Sequence, residues 1–363
     1  MTMEQQPVGR PGKWKNIGSL AVVVLLMALT FWLLLRGYEP RKLLRLLARA
    51  DWRYLLPGFG LVLVCIACEG GCLRTVCRSL GHPISRTRAF IYANTDYYFS
   101  AVTPSATGGQ PAMAYYMAKD GVPLSKSGVA ILITIVQYTA ALLLLGMLAV
   151  LGYPALITDG PPVFLGLLLL GVVLNAGLIA ASLLAMFQRR LVGRIGRFGI
   201  RLLARVRLLK DSEQRLAAFE ASLDEYAAGA RYVRSHPLIL LKLLALCILQ
   251  RLAVLAITWL VYRALGLHAH SFGEILALQT LTTISVCALP LPGAVGAAEG
   301  MFLLLFRPVF GKELLMPAML LTRGITYYFC LAFSGGVTLL HHIRMLRHSR
   351  RTAIPTDVSE RGD

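Results

Sequence analysis

Long apolar runs separated by short polar segments dominate the chain. Six of these runs are long enough to cross a bilayer as a helix, which takes about 20 residues. They cover residues 18–35, 55–73, 127–152, 161–185, 237–264 and 317–340. Two further apolar stretches, 89–118 and 273–306, are each interrupted in the middle by prolines and glycines. The pattern predicts an all-α polytopic membrane protein with six full spans and two broken, re-entrant hairpins, eight helical membrane segments in all.

Composition supports a membrane protein and excludes an ordinary soluble domain. Hydrophobic residues make up 56% of the 363 positions, only 15% are charged, and the mean hydropathy is +0.64. No alternating pattern of about ten residues indicates an outer-membrane barrel. We therefore expect a single transmembrane domain over residues 18–345, between cytoplasmic tails at 1–17 and 346–363.

The formal net charge is +19, and the lysines and arginines that produce it lie between the apolar runs rather than on a hydrophilic domain. This distribution favours membrane orientation and binding to anionic lipid over binding to nucleic acid. The longest polar region, 186–236, opens with basic and apolar residues mixed, which predicts helices lying on the cytoplasmic leaflet. The arginines predicted to contact that anionic lipid surface are Arg189, Arg190, Arg194, Arg197, Arg201, Arg205 and Arg207.

The same charge rule gives a topology for a bacterial cytoplasmic-membrane protein. It places the basic loops 74–88 and 186–236 and both chain termini in the cytoplasm. The number of crossings agrees with these loop positions only if two stretches enter the membrane and return to the side they came from. Stretch 89–118 would enter from the cytoplasm, and stretch 273–306 from outside. The loop 36–53 opposes this topology, because its six basic residues would lie outside.

The two interrupted stretches resemble each other. Aligning "PSATGGQPAM" with "PGAVGAAEGM" pairs Pro104 with Pro292, Ala106 with Ala294, Gly108 with Gly296 and Met113 with Met301. Chance similarity between short segments rich in Gly and Ala is the alternative. Two similar broken segments in opposite orientations are typical of transporters whose binding site lies near the midplane. The pattern therefore predicts an inverted repeat.

Irregular backbone at membrane depth must be buried in protein or line a cavity, because lipid cannot hydrogen-bond it. We expect a new helix to begin near Gln110 and another near Ala294. The first N–H groups of such helices lack helical partners and carry partial positive charge, which suits an anion such as a lipid phosphate. The residues predicted for lipid-phosphate binding are Thr103, Pro104, Gly108, Gly109, Gln110, Pro292, Gly293 and Gly296.

Ionisable residues inside apolar runs are the other candidates, because charge is costly there. Glu299 and Arg323 are expected to pair as a head-group or gating element, with a purely structural ion pair as the alternative. Asn94 and Asp96 are expected to line the first hairpin in the same role, or to bond neighbouring helices.

Other polar residues in the apolar runs favour structural roles. For Glu69 and Arg251, packing or snorkelling is favoured over function. Tyr97, Tyr98, Tyr115 and Tyr116 are expected to be interfacial anchors. No Walker loop, HExxH motif or nucleophile elbow occurs, so we expect no catalytic residue, no metal site and no cofactor.

Three motifs are similar to those of a known family. They are Thr-Pro-x-x-x-Gly-Gly at 103–109, Pro-Gly-x-x-Gly-x-x-Glu-Gly at 292–300, and an arginine in the span that follows, Arg323. With these motifs the chain, over about residues 18–345, resembles the transmembrane, flippase-like domain family of lysylphosphatidylglycerol synthase. The resemblance implies transfer of an aminoacylated lipid to the outer leaflet, with a separate cytosolic domain making that lipid. It also implies a role in envelope charge and in resistance to cationic peptides.

The resembled family differs from this chain at two places. Many members carry Glu and Arg around the first break, where this chain has Gln110 and Met113, and a Glu–Arg pair in the next span, where it has Gln137 and Tyr138. The chain resembles a "GGQP" subgroup, which leaves the lipid open. The 186–236 loop is too short to hold a transferase domain and no residue follows 363 in this sequence. We therefore do not expect this chain to carry out lysyl transfer alone.

These observations favour a lipid translocator. The expected cargo is an anionic or aminoacylated phospholipid or a polyprenyl-phosphate lipid. The alternatives are a phosphatidylglycerol lysyltransferase using lysyl-tRNA, with Glu299 or Asp96 as a base, and a membrane scaffold for such an enzyme. The expected partners are membrane phospholipids and an anionic lipid surface, with a separate lipid synthase as a further candidate; tRNA is a partner only under the transferase alternative.

Overall fold

The computed structural model describes residues 46–188 and 235–352 apart from 104, 105, 288 and 290, together with eleven separate residues between 190 and 232. The predicted span 18–35 and the tail 1–17 lie outside the described residues. Throughout the described part every regular element is helical and no strand occurs. The α-helices are α1 (Trp52–Ser79), α2 (Arg86–Val102), α3 (Gly109–Lys119), α4 (Leu124–Gly152), α5 (Ala155–Thr158), α6 (Pro162–Phe187), α7 (Pro237–Ala264), α8 (Phe272–Val286), α9 (Ala297–Leu305), α10 (Arg307–Arg323) and α11 (Cys330–Thr352).

Five segments are long and apolar enough to cross a membrane. They are α1, α4, α6, α7 and the continuous helical stretch Arg307–Met345, which joins α10 to α11 through a π-helix at Gly324–Phe329. These five correspond to five of the six predicted spans. Helix α6 exposes many large apolar side chains, Leu169 and Val173 among them, as a lipid-facing helix does. The protein is thus an integral multi-pass membrane protein.

Helices α1 and α7 form the centre of the fold and run antiparallel. The N–H of Asp51, at the start of α1, donates to the carbonyl of Ala264 at the end of α7, with an N–O distance of 2.9 Å. Towards the other end of α1, the Sγ of Cys72 lies 3.7 Å from the Sγ of Cys247 in the first half of α7. The pair therefore provides an axis along which the other helices can be placed.

Two apolar clusters lie along this axis. The first core contains Leu73 and Val76 of α1, Leu243 and Cys247 of α7, and Met113 and Met117 of α3. The second core contains Val62 and Ile66 of α1, Ile257 and Val261 of α7, and Met301 and Phe302 of α9. Helices α3 and α9 thus pack towards opposite ends of the central pair.

Both interrupted stretches are broken in the structure. Helix α2 ends at Val102 and α3 begins at Gly109, one residue before the predicted start at Gln110. In the second stretch α8 ends at Val286, a 3-10 turn covers Pro292–Ala294, and α9 begins at Ala297. The predicted start near Ala294 is wrong by three residues. Ala294 has φ 51°, which lies outside the right-handed helical region, so the helix forms only after it.

The two breaks share a backbone feature. Ala106 with φ 54° and Ala294 with φ 51° are the only non-glycine residues with positive φ in the described part of the chain. The sequence alignment of the two stretches pairs these two alanines, and it also pairs Gly109 with Ala297, the first residues of α3 and α9. The similarity of the segments therefore extends to their conformation, which weakens the chance alternative.

We predict that Ala106→Gly stabilises the protein by about 0.5–1 kcal/mol. It removes roughly 1–2 kcal/mol of left-handed strain, which outweighs the roughly 0.4–1 kcal/mol that glycine adds to unfolded-chain entropy. Equilibrium SDS titration in mixed micelles, followed by circular dichroism, gives the free energy of unfolding. The control is Ala112→Gly inside α3, which is expected to cost about 0.5–1 kcal/mol. An equal loss of unfolding free energy in Ala106→Gly and Ala112→Gly would contradict backbone strain at Ala106.

Candidate functional site

The second break contains a buried ion pair. Glu299 Oε1 accepts a hydrogen bond from Arg323 Nε at 2.7 Å, and the other carboxylate oxygen accepts one from the Gly296 N–H at 2.7 Å. Arg323 Nη2 also donates to the carbonyl of Gly293 at 3.1 Å. The Glu299 side chain is 3% exposed and that of Arg323 is 16% exposed. The predicted Glu299–Arg323 contact is confirmed, and its role stays a prediction.

The Glu299 carboxylate occupies the N-terminus of α9. Glutamate at the third helical position can accept from the N–H of the capping residue, and its charge complements the helix dipole. A lipid phosphate at this helix end would have to displace that carboxylate. We therefore do not extend the phosphate-binding hypothesis to Pro292, Gly293 and Gly296.

Tyr327 connects the second break to the first. Its hydroxyl donates to the carbonyl of Ala101, near the end of α2, at 3.1 Å. The Arg323 guanidinium carbon lies 4.5 Å from the centre of the Tyr327 ring, and the ring packs against Gly293, leaving no room for a Cβ atom there. Sequence reasoning missed Tyr327. Its position one helical turn after a charged residue in an apolar span was the available signal.

Thr103 joins the two sides of the first break by hydrogen bonds. Thr103 Oγ1 donates to the carbonyl of Phe99 at 2.7 Å and accepts from the Gly108 N–H at 2.9 Å. Gly109 touches the carboxylate of Asp96 and the hydroxyl of Ser100, so a Cβ atom there would collide with both. The Asp96 carboxylate thus lies at the N-terminus of α3. Pro104, a predicted phosphate ligand, lies outside the described residues.

A cavity of about 170 Å³ opens beside this break, and we call it the acidic cavity. Its polar lining consists of Glu69, Asp96, Tyr97, Ser100, Gln110, Thr134 and Tyr138. The lining includes two carboxyl groups and, among the described residues, no lysine or arginine. Gln110, Met113 and Tyr138, at three of the positions where the sequence departs from the pattern of the resembled family, all line this cavity.

Glu69 is part of a buried hydrogen-bonded cluster. Its carboxylate accepts from Gln250 Nε2 at 3.1 Å, and the same amide donates to the hydroxyl of Tyr97 at 2.8 Å. Glu69 and Asp96 line the same cavity, so their two carboxyl groups are neighbours there. The expectation that Tyr97 is an interfacial anchor is wrong, because its hydroxyl lies inside the protein against Gln250 and Cys65. The packing role favoured for Glu69 is incomplete, because its side chain also lines the acidic cavity.

Arg251 lies behind the cavity wall. It is 6% exposed, and its guanidinium carbon lies 3.4 Å from the centre of the Tyr138 ring, so it packs rather than snorkels. Asn94 is fully buried and donates to the carbonyl of Phe90 within α2 at 2.8 Å. The structure does not place Asn94 among the residues that line the acidic cavity.

The basic loop is described only in part. Arg190, Arg194 and Arg201 are exposed, and Arg197 pairs with Glu220 at 3.2 Å. Arg189, Arg205 and Arg207 lie outside the described residues. Contact of this loop with anionic lipid stays a prediction.

Comparison with known proteins identifies the family. The family model described as "Lysylphosphatidylglycerol synthase TM region" matches residues 16–334, which include both breaks, the acidic cavity and the Glu299–Arg323 pair. A search of curated proteins gives no match. The chain therefore belongs to the lysylphosphatidylglycerol synthase transmembrane-region family.

Proposed function

We propose that the protein moves a phospholipid with a cationic head group, such as an aminoacylated phosphatidylglycerol, between the leaflets of the membrane. The observation that carries this proposal is the acidic cavity, in which Glu69 and Asp96 meet beside a broken helix and no basic residue lies among the described residues of the lining. A buried carboxyl group is costly in its ionised form unless an opposite charge meets it, so this cavity favours a ligand that brings a positive charge. The ammonium group of an aminoacylated lipid supplies it.

The phosphate of the same lipid has a separate place in this proposal. The Gln110 side chain lines the cavity in the first turn of α3 and can donate its amide N–H to a phosphate oxygen. Thr103, Gly108 and Gly109 then act as positioning residues, because their contacts fix the start of α3 against Asp96. The ammonium and phosphate groups would bind to different residues of one cavity.

The arrangement of the two breaks supports alternating access. Helices α3 and α9 pack towards opposite ends of the antiparallel pair α1 and α7, which favours an inverted repeat with hairpins entering from opposite leaflets. Tyr327 joins the second break to Ala101 beside the first. We propose that this contact and the Glu299–Arg323 pair form the gate that the lipid head group opens.

We predict that Asp96→Asn with Glu69→Gln slows movement of an aminoacylated phosphatidylglycerol ten- to a hundredfold. A charge-assisted hydrogen bond contributes about 1.5–3 kcal/mol, and each 1.4 kcal/mol changes an equilibrium constant about tenfold. Proteoliposomes containing the amine-bearing lipid, treated with a membrane-impermeant amine reagent, report how much lipid reaches the outer leaflet.

Asp159→Asn is the matched control, because Asp159 is an exposed carboxylate between α5 and α6. It is expected to leave the rate unchanged. Wild-type rates in the cavity variant would contradict the proposal. So would equal wild-type rates for the amine-bearing lipid and for phosphatidylglycerol, whose outer-leaflet share is measured by periodate cleavage of its glycerol diol.

A further inference from the structure

A second cavity, of about 500 Å³, lies between α1 and α2, and we call it the basic groove. Its α1 wall is formed by Ala67, Gly70, Gly71 and Arg74. At 100° per residue these positions lie on the face of α1 turned away from Glu69. The groove is therefore separate from the acidic cavity, and its volume is within the range of about 300–1,000 Å³ usual for small-molecule sites.

Small residues give the groove its shape. A Cβ atom on Gly70 would lie 2.9 Å from the carbonyl oxygen of Ala89, so α1 and α2 approach closely at this point. A Cβ atom on Gly71 would meet only Leu246 Cδ1, at 3.8 Å, so the wall beside it is open. Ala67 is exposed, which opens the groove to the surface of the apolar helix α1. A narrow apolar channel of this kind suits an acyl chain.

Two arginines lie at the same groove. Arg74 is half-buried, and its Nε donates to the carbonyl of Ile84 at 3.2 Å, which fixes the guanidinium. Arg86 is exposed at the first position of α2. No acidic residue lines the groove within the part of the chain that the structure describes. The groove thus combines an apolar channel with two positive charges that no carboxylate in its lining neutralises.

We propose that the basic groove binds one anionic phospholipid. Its phosphodiester contacts Arg74 and Arg86, and one acyl chain lies along Ala67, Gly70 and Gly71. Guanidinium groups bind phosphate oxygens through paired N–H donors, and apolar surface beside them binds hydrocarbon. This site goes beyond the proposed function, because binding at equilibrium requires no movement between leaflets and uses none of the residues of the acidic cavity.

The test places the photoreactive residue p-benzoylphenylalanine at Ala67 of the full chain, in nanodiscs of phosphatidylglycerol and phosphatidylcholine. After irradiation, mass spectrometry identifies what the groove holds. We expect an adduct with phosphatidylglycerol, reduced at least fivefold by Arg74→Gln with Arg86→Gln. Arg86→Gln alone leaves the Arg74–Ile84 hydrogen bond intact and is expected to reduce the adduct in the same direction.

Arg78→Gln with Arg88→Gln is the control, because both arginines are exposed on the same two helices and neither lines the groove. It is expected to leave the adduct yield unchanged. A cross-link to residues 1–45, or to a second copy of the chain, would assign the groove to protein and overturn the proposal. Equal adduct yields with phosphatidylglycerol and phosphatidylcholine that do not change in the arginine variants would also overturn it. None of these results depends on whether the protein moves lipid.

Discussion

Replacing Glu299 by alanine is expected to lower the free energy of unfolding by about 3–5 kcal/mol, the usual loss when one partner of a buried ion pair is removed. Arg323, only 16% exposed, would keep its charge without a carboxylate, and the Gly296 N–H would lose its acceptor. Equilibrium SDS titration followed by circular dichroism measures the loss. The double variant Glu299→Ala/Arg323→Met should lose less than Glu299→Ala alone, because no charge remains unpaired.

Glu274→Ala is the matched control for this prediction. Glu274 also lies in the first turn of a helix and pairs with a basic side chain, His270, at 2.7 Å, but its side chain is 34% exposed. A partly solvated pair of this kind contributes about 0–1 kcal/mol. Similar losses for Glu299→Ala and Glu274→Ala would show that burial does not strengthen the Glu299–Arg323 interaction.

A milder substitution separates the two hypotheses for this pair. Glu299→Gln keeps an oxygen that accepts from Gly296 or Arg323 but removes the charge. If Glu299 acts in gating, lipid movement should fall far more than the free energy of unfolding does. If the pair is only structural, the variant that still folds should move lipid at the wild-type rate. The proteoliposome assay and the SDS titration of the same preparation give both values.

The features that sequence alone predicts well are local ones. Each described span follows from an apolar run of sufficient length, and each break follows from the prolines and glycines at 104–111 and 292–300. The Glu299–Arg323 contact was also predictable, because two opposite charges in neighbouring apolar segments have few other partners. The start of α9 was not, since a positive φ at Ala294 is unusual for alanine and leaves no trace in composition.

The acidic cavity could not be predicted, because its parts come from distant segments. Glu69 and Gln250 are 181 residues apart, and they meet only because α1 and α7 pack along their length. The sequence shows Arg251 as a charge in an apolar run, whereas its environment is set by Tyr138 of α4. Local patterns identify which polar residues lie in the membrane, and helix packing decides which of them share a cavity.

Gly293→Ala is expected to lower the free energy of unfolding by about 2–4 kcal/mol and to slow lipid movement. Gly293 has φ 58°, where an L-residue is strained by roughly 1–2 kcal/mol. Its new Cβ atom would also collide with the Tyr327 ring, and such overpacking costs about 1–3 kcal/mol. Moving the ring pulls its hydroxyl away from the Ala101 carbonyl and so uncouples the two breaks.

Gly300→Ala, seven residues along the same broken segment, is the control. A Cβ atom there meets nothing within 4 Å, so alanine should stabilise α9 by about 0.5–1 kcal/mol. In the double variant Gly293→Ala/Tyr327→Ala the collision is removed. Its loss of unfolding free energy should therefore be smaller than the sum of the losses in the two single variants. Strict additivity would contradict the contact between Gly293 and Tyr327. If Gly293→Ala proves as unstable as expected but moves lipid normally, the two breaks are joined for stability rather than for gating.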